Sequence, residues 1–213
     1  MAEDDEKRWA AEHAALLPDD GMTVGLGTGT TVAVLLPALA RRRLAIVCVA
    51  TSPATEEAAV ALGLEVRPFE SLDHLDLAID GADQVDTDCW LVKGAGGAHT
   101  REKIVAAAAD RFVVIVSESK LVEELAPPVP LELLGFGLEA TLARLGEVRL
   151  RPGPPSPDGG LLADYLGEVA SPAELAAELS ATPGVVDHGL FSAELVSEVL
   201  VGRPDGSVTR ILP

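Results

Sequence analysis

The sequence predicts an α/β fold: a mostly parallel sheet covered by helices, carrying an inserted α+β lobe. Three observations carry this. Short apolar strands alternate with helical segments through the first 126 residues, the pattern of a parallel sheet clad on both faces. A proline-rich break, Ala126 to Pro130, is then followed by a strand–helix–strand–strand–helix–strand order. Finally, 213 residues with 48% apolar content are enough to bury a core without covalent staples.

Asp5 to Leu17 has helical spacing, with Trp9, Ala10, His13, Leu16 and Leu17 toward one side. Met22 to Leu26 follows as a buried strand and Gly27 to Thr31 as a glycine-rich turn. The next helix, Thr31 to Arg41, carries Pro37 as a kink point. Leu44 to Ala50 is a second strand, and Pro53 to Leu62 a helix capped by Ser52 or Thr51. Short strands are expected at Glu65 to Arg67 and Leu75 to Ile79, then a loop from Asp80 to Asp88. A strand at Trp90 to Lys93 leads into a second glycine-rich loop, Gly94 to Ala98. Helix Thr100 to Ala109 and the fully apolar strand Phe112 to Val116 complete this half.

Beyond the break, strands at Val129–Leu133, Val148–Arg151, Leu161–Tyr165 and Val185–Phe191 enclose helices Leu138–Leu145 and Pro172–Leu179. This is the split βαβ, or ferredoxin-like, order. The tail reads as a hairpin around Pro204-Asp205-Gly206 that rejoins the first half. The expected division is therefore 1–126 with 193–213, and 127–192.

Charge narrows the function. With 16 basic and 34 acidic residues the net charge is −18, which argues against nucleic-acid binding. An acidic, polar start, Met1 to Arg8, offers no secretory h-region, and no apolar run is long enough to span a membrane. Cys48 and Cys89 cannot form a disulfide framework, so a cytoplasmic protein is expected. Positive charge is mostly arginine; the only lysines are Lys7, Lys93, Lys103 and Lys120.

Four loops carry chemistry, and all lie at the carboxyl ends of predicted strands, where open α/β sheets bind ligands. VGLGTGTTV, Val24 to Val32, combines glycines and hydroxyls before a helix start, which suits one phosphate. It lacks the third glycine and the acid after the second strand that a dinucleotide needs. It also suits a bare strand-to-helix turn. Asp80-Gly81-Ala82-Asp83 places two carboxylates on a sharp turn, able to hold sugar hydroxyls or a metal, although Asp and Gly are common turn formers. Lys93-Gly94-Ala95-Gly96-Gly97-Ala98 sets a cation before exposed amides, a site for a developing oxyanion. Glu102 lies in the first turn of the next helix, where it is a candidate base or merely a complement to the helix dipole. Lys120 ends the following strand on the same edge and is placed to complete a phosphate site. Each signal alone is modest; their convergence on one edge is not.

These runs, with TSPATEEA, LAIDGADQVD, LVKGAGGAHTREKIVAAA, VIVSESKLV, PVPLEL, ATPGVVDHGLF and GRPDG, resemble the ribose-5-phosphate isomerase A family over nearly the whole chain. The resemblance implies a Rossmann-like domain with a ferredoxin-like lobe and a homodimer or homotetramer. It also implies a cofactor-free, metal-free aldose–ketose isomerase of the pentose phosphate pathway, acting on ribose 5-phosphate and ribulose 5-phosphate. Glu102 would be the base working through an enediolate. Lys93 and the amides of Gly94, Ala95 and Gly96 would stabilise the oxyanion, while Asp80 and Asp83, with Gly81 and Ala82 between them, would hold sugar hydroxyls. Thr28, Gly29, Thr30, Thr31, Lys120 and Lys7 would hold the phosphate. Ala95 stands where the family more often has glycine, so its methyl would crowd the loop if φ there were positive. Gln84 replaces a usual Glu and is expected to lie outside the chemistry. His99 is expected to face solvent, and His13, His74 and His188 suggest no ligand set. Two alternatives remain at this stage: a non-catalytic phosphosugar sensor and a CoA transferase-like enzyme.

Overall fold

The structure, a computed structural model, describes residues 2–213. Helix α1 (Ala2–Ala14) precedes β1 (Thr23–Leu26), α2 (Thr30–Arg41), β2 (Val47–Ala50), α3 (Pro53–Ala61) and β3 (Glu65–Val66). Then come β4 (Leu77–Asp80), β5 (Gln84–Val85), β6 (Leu91–Val92), α4 (His99–Ala107) and β7 (Phe112–Ser117). The lobe holds β8 (Val129–Leu133), α5 (Leu138–Leu145), β9 (Val148–Leu150), β10 (Leu161–Tyr165), α6 (Pro172–Ala181) and β11 (Val185–His188). The chain closes with β12 (Leu190–Phe191), β13 (Glu198–Gly202) and β14 (Val208–Ile211).

Seven strands form one sheet in the order β14-β13-β7-β4-β1-β2-β3, parallel except at β14. Strand order reverses between β1 and β4, so the loops after these strands diverge and leave a crevice at their carboxyl ends. Every residue of β7 is buried, as its unbroken apolar run requires. The lobe sheet is antiparallel in the order β11-β8-β10-β9, which is the fourth-first-third-second arrangement of a split βαβ fold. A third, small antiparallel sheet has the order β12-β6-β5.

Several elements differ from their sequence expectation. Helix α1 buries Glu6, Ala10, Ala11 and Ala14, whereas His13 and Leu16 are exposed. The alanine face wins because it lets the helix lie close on β7 and β13; bulky Trp9 stays at the rim, where Arg8 stacks on it at 4.3 Å. Pro37 sits within α2 without ending it. The expected single strand Val185–Phe191 is two: β11 joins the lobe and β12 pairs with β6. The break is at Gly189, where a Cβ would stand 2.1 Å from the Lys93 carbonyl. Only glycine allows this approach, and its carbonyl accepts from the Lys93 amide at 2.8 Å. The expected loop Asp80–Asp88 contains β5, and the Gln84 side chain bridges both backbone groups of Ala126 at 2.8 Å.

His99 does not face solvent: it is fully buried at the junction of α4 with the lobe, against Gly94. Neither ring nitrogen has a hydrogen-bond partner among the described residues. Burial, then the charge of Lys103, Arg151 and Lys93, brings its pKa down to about 3 against an opposing pull from the Asp187 backbone. His188 beside it is likewise lowered to about 3, by burial first and then by Lys103 and His99. Both imidazoles are neutral in the folded state but would bind a proton below about pH 6.5 when unfolded. Stability therefore rises with pH between about 3 and 6.5, each histidine contributing a slope of about 1.4 kcal/mol per pH unit. Denaturant unfolding across this window will show a shallower pH dependence in His99→Leu than in the parent protein.

Candidate active site

At the carboxyl ends of β1, β4 and β6 lies a cavity of about 290 Å³. The turn after β1 brings Thr28, Gly29, Thr30 and Thr31 to its wall, and the turn after β4 brings Gly81, Ala82 and Asp83. The β6–α4 connection contributes Lys93, Gly94, Ala95, Gly96 and Glu102. Lys7 reaches in from α1 and Lys120 from the 3₁₀ turn that follows β7. Fourteen expected site residues thus meet at one place, although they are spread from position 7 to 120.

Asp80 is the exception. It lies behind the wall, 3% exposed, and every contact it makes is internal. Its Oδ1 accepts from the Thr28 amide at 3.1 Å and the Gly81 amide at 2.7 Å, and its Oδ2 pairs with Lys93 Nζ at 2.8 Å. Gly27 makes room for it, since a Cβ there would lie 1.9 Å from the Asp80 carboxyl. Burial raises the Asp80 pKa, opposed by Lys93 and by the two amides.

Lys93 is the hub. Its ammonium contacts Asp80, Glu102 Oε2 at 3.0 Å and the Gly81 carbonyl at 2.5 Å, which uses its three donors. Burial pulls its pKa down, but Asp80 and then Glu102 outweigh that, so it stays charged. Glu102 is 4% exposed, and burial followed by repulsion from Asp80 lifts its pKa to about 7 despite Lys93. A carboxylate with that pKa, in a cavity with a fixed cation beside it, can take and return a proton near neutral pH. Its place in the first turn of α4 would by itself favour the ionised form; burial prevails.

The glycine loop is shaped by left-handed φ at Gly94 (106°) and Gly97 (75°). Ala95 has no positive φ and its side chain is exposed, so its methyl does not crowd the loop. The Ala95 amide donates to Asp83 Oδ2 at 2.9 Å. Helix α4 has no side-chain cap at Ala98, which leaves amides of its first turn free. The fourth lysine, Lys103, is turned away and paired with Asp187 at 2.6 Å.

Sequence reasoning missed the residues that brace these loops. Thr55 Oγ1 donates to the Gly27 carbonyl at 2.9 Å, and the Thr51 and Thr28 hydroxyls meet at 2.8 Å. Helix capping falls to Ser52, which accepts from the Thr55 amide, so Thr51 is left to brace the turn after β1 through Thr28. Arg151 of the lobe reaches the carbonyls of Gly94 and Ala95, a contact across 57 residues for which no local signal existed. A larger cavity of about 590 Å³ lies on the outer side of α4, but its Arg101 is tied to Asp158 and its wall holds none of the glycine loops.

Comparison with known proteins agrees with this geometry. Residues 47–206 match the family ribose 5-phosphate isomerase A (phosphoriboisomerase A). The ribose-5-phosphate isomerase A of Methanosarcina acetivorans is 42% identical over 95% of this chain and 92% of that protein. The crystal structure of ribose 5 phosphate isomerase A from Neisseria gonorrhoeae superposes with a TM-score of 0.94 at 31% identity, covering 99% of this chain and 97% of that one. A D-ribose-5-phosphate isomerase solved in complex with phospho-erythronic acid gives a TM-score of 0.94 at 32% identity over the full length of both chains. The chain belongs to the ribose 5-phosphate isomerase A family.

Proposed function

We propose that this protein interconverts D-ribose 5-phosphate and D-ribulose 5-phosphate in the pentose phosphate pathway, with Glu102 as the proton carrier. The observation that carries this is a nearly buried Glu102 carboxylate on the wall of the cavity between the glycine-rich loops, 3.0 Å from a buried ammonium. The phosphate is held by the Thr28–Thr31 turn at the start of α2, with Lys120 and Lys7 supplying charge. Asp83 holds sugar hydroxyls and assists opening of the ring, while Asp80 acts through Lys93.

In the open aldose, Glu102 takes the proton from C2, and the electron pair moves to make a C1–C2 double bond as O1 becomes an oxyanion. Lys93 and the amides of the glycine loop stabilise that charge. Glu102 then returns the proton to C1; O2 loses its proton and O1 gains one, leaving a ketone at C2. Phospho-erythronic acid, bound in the structure of a relative, carries a planar, anionic carboxylate, so it is a fitting probe of the planar enediolate.

Division of labour follows: residues 1–126 and 193–213 carry the site, and 127–192 brace it. Two buried free cysteines are compatible with a reducing cytoplasm. No helix among the described residues is long and apolar enough to cross a membrane. Exposed Phe136 (95%) and Leu134 (53%) on the lobe favour a homodimer or homotetramer, so sedimentation will give a mass above that of one chain.

A coupled assay with ribose 5-phosphate in EDTA will show full turnover, and Glu102→Gln will lower kcat by about 10²–10⁴-fold. Because the base must be ionised, kcat/KM will climb with pH through a midpoint near 7. Turnover by Glu102→Gln equal to that of the parent would remove Glu102 from the mechanism. Lys120→Met will raise KM about tenfold with kcat nearly kept, the signature of lost ground-state anchoring.

A further inference from the structure

Arg151 stands just past the end of β9, where its amide continues the ladder by donating to the Leu162 carbonyl at 2.9 Å. Its guanidinium is fixed from one side by Asp164, whose Oδ1 accepts from Nε at 2.9 Å and Nη2 at 2.7 Å. From the other side Nη1 donates to the Gly94 carbonyl at 2.8 Å and the Ala95 carbonyl at 3.3 Å. Asp164 is 6% exposed, so the clamp is held away from competing water. Arg151 does not line the catalytic cavity. It lines a second one, which shares Thr28, Ala95 and Gly96 with the first and is otherwise walled by Pro152, Pro154, Pro155 and Pro157.

Peptide geometry turns this contact into a statement about catalysis. In a trans peptide the C=O and N–H point in opposite directions. The Gly94 carbonyl shares its plane with the Ala95 amide, and the Ala95 carbonyl with the Gly96 amide. Pulling both carbonyls toward the lobe aims both amides at the cavity. The first amide does point there, since it donates to Asp83 Oδ2 at 2.9 Å. The second, on Gly96, makes no hydrogen bond among the described residues and is left free to donate. A positive charge on the carbonyl side also polarises each peptide, making its N–H the better donor.

We propose that Arg151, locked by Asp164, is a positioning residue that orients and polarises two peptides, aiming the Ala95 amide at Asp83 and the free Gly96 amide at the enediolate oxyanion. It touches no reacting atom. The lobe thereby takes part in the chemistry by setting the direction of two dipoles in the other half of the molecule. This rests on the isomerase assignment above and adds the part played by the lobe.

The test compares the parent with Arg151→Met, Arg151→Lys and Glu102→Gln, measuring turnover of ribose 5-phosphate and binding of phospho-erythronic acid and of inorganic phosphate. Misaimed donors cost about 10–10²-fold, so Arg151→Met will lower kcat by that factor with KM changed less than about threefold. Phospho-erythronic acid, with its planar carboxylate, will bind weaker by a similar factor, while inorganic phosphate binding and the pH midpoint of kcat/KM stay in place. Arg151→Lys, which keeps the charge but reaches fewer acceptors, will fall between the two; should Arg151→Met not fold, this variant shows the same split at smaller amplitude. An unchanged kcat, or a loss shared equally by phospho-erythronic acid and inorganic phosphate, overturns the proposal. The parent and Glu102→Gln separate the failures. If the parent itself does not turn over ribose 5-phosphate, the isomerase assignment falls; if the parent is active and Glu102→Gln is not, while the Arg151 variants match the parent, only the role of Arg151 falls.

Discussion

The ammonium of Lys93, enclosed between two carboxylates at 3% exposure, is the contact on which the rest of the site depends. Three charges brought out of water carry a large desolvation cost, and removing one member would leave its partners buried and unpaired. The cost is bearable because the remaining valences of Lys93 and Asp80 are filled: the Gly81 carbonyl takes the third lysine donor, and two amides serve Asp80. Two carboxylates facing one ammonium still leave a net negative charge in a poorly solvated space. That surplus, together with burial, is what lifts Glu102 toward neutrality while Asp80, with its two amide donors, anchors the lysine. In the proposed mechanism one cluster therefore supplies both a base of suitable strength and a cation for the oxyanion.

Such a cluster demands backbone approaches that few residues permit. Gly27 lets the Asp80 carboxyl under the turn after β1, and Gly189 lets the lobe close over the Lys93 carbonyl. The chain thus holds Lys93 from both halves: β4 through Asp80, and the β11–β12 junction through the backbone. Positive charge is distributed by the same logic. The protein carries a net charge of −18, yet Lys7, Lys93 and Lys120 all line the cavity for an anionic substrate, while Lys103 is neutralised by Asp187. At physiological salt the distant acidic surface is screened beyond about 8 Å, so this local island governs the last step of approach.

What could be read in the sequence was local chemistry at strand ends. GTGTT, DGAD, KGAGGA and Glu102 each combine a turn with a functional group, and the strand-end rule for parallel sheets gathers them without coordinates. What could not be read arises from packing between distant segments. The buried face of α1 depends on alanines fitting β7 and β13, which periodicity alone assigns to the larger Trp9 and Leu16. The division of β11 from β12 depends on where the lobe meets Lys93. His99 follows an exposed-looking glycine loop, and only the lobe lying over α4 buries it. Asp80 looked equivalent to Asp83 because both stand on one turn; three positions along a strand exit decide which faces inward.

Ala95 makes the same point in one residue. A methyl in a glycine-rich loop suggests trouble when the loop is taken as uniformly flexible. The left-handed angles fall on Gly94 and Gly97 instead, and Ala95 occupies ordinary backbone with its side chain in solvent. What the loop requires at position 95 is a direction for its peptide planes, and Arg151 supplies it from outside by hydrogen bonds to the carbonyls of 94 and 95, the first of which the Gly97 amide also holds from within the loop at 3.0 Å. A loop held in this way gains little from an extra glycine, whose freedom would have to be lost on folding. Alanine is therefore compatible with a preorganised donor pair so long as the lobe stays docked, and the docking contacts at Gly189, Lys103 and Arg151 all lie within reach of α4 or the loop that precedes it.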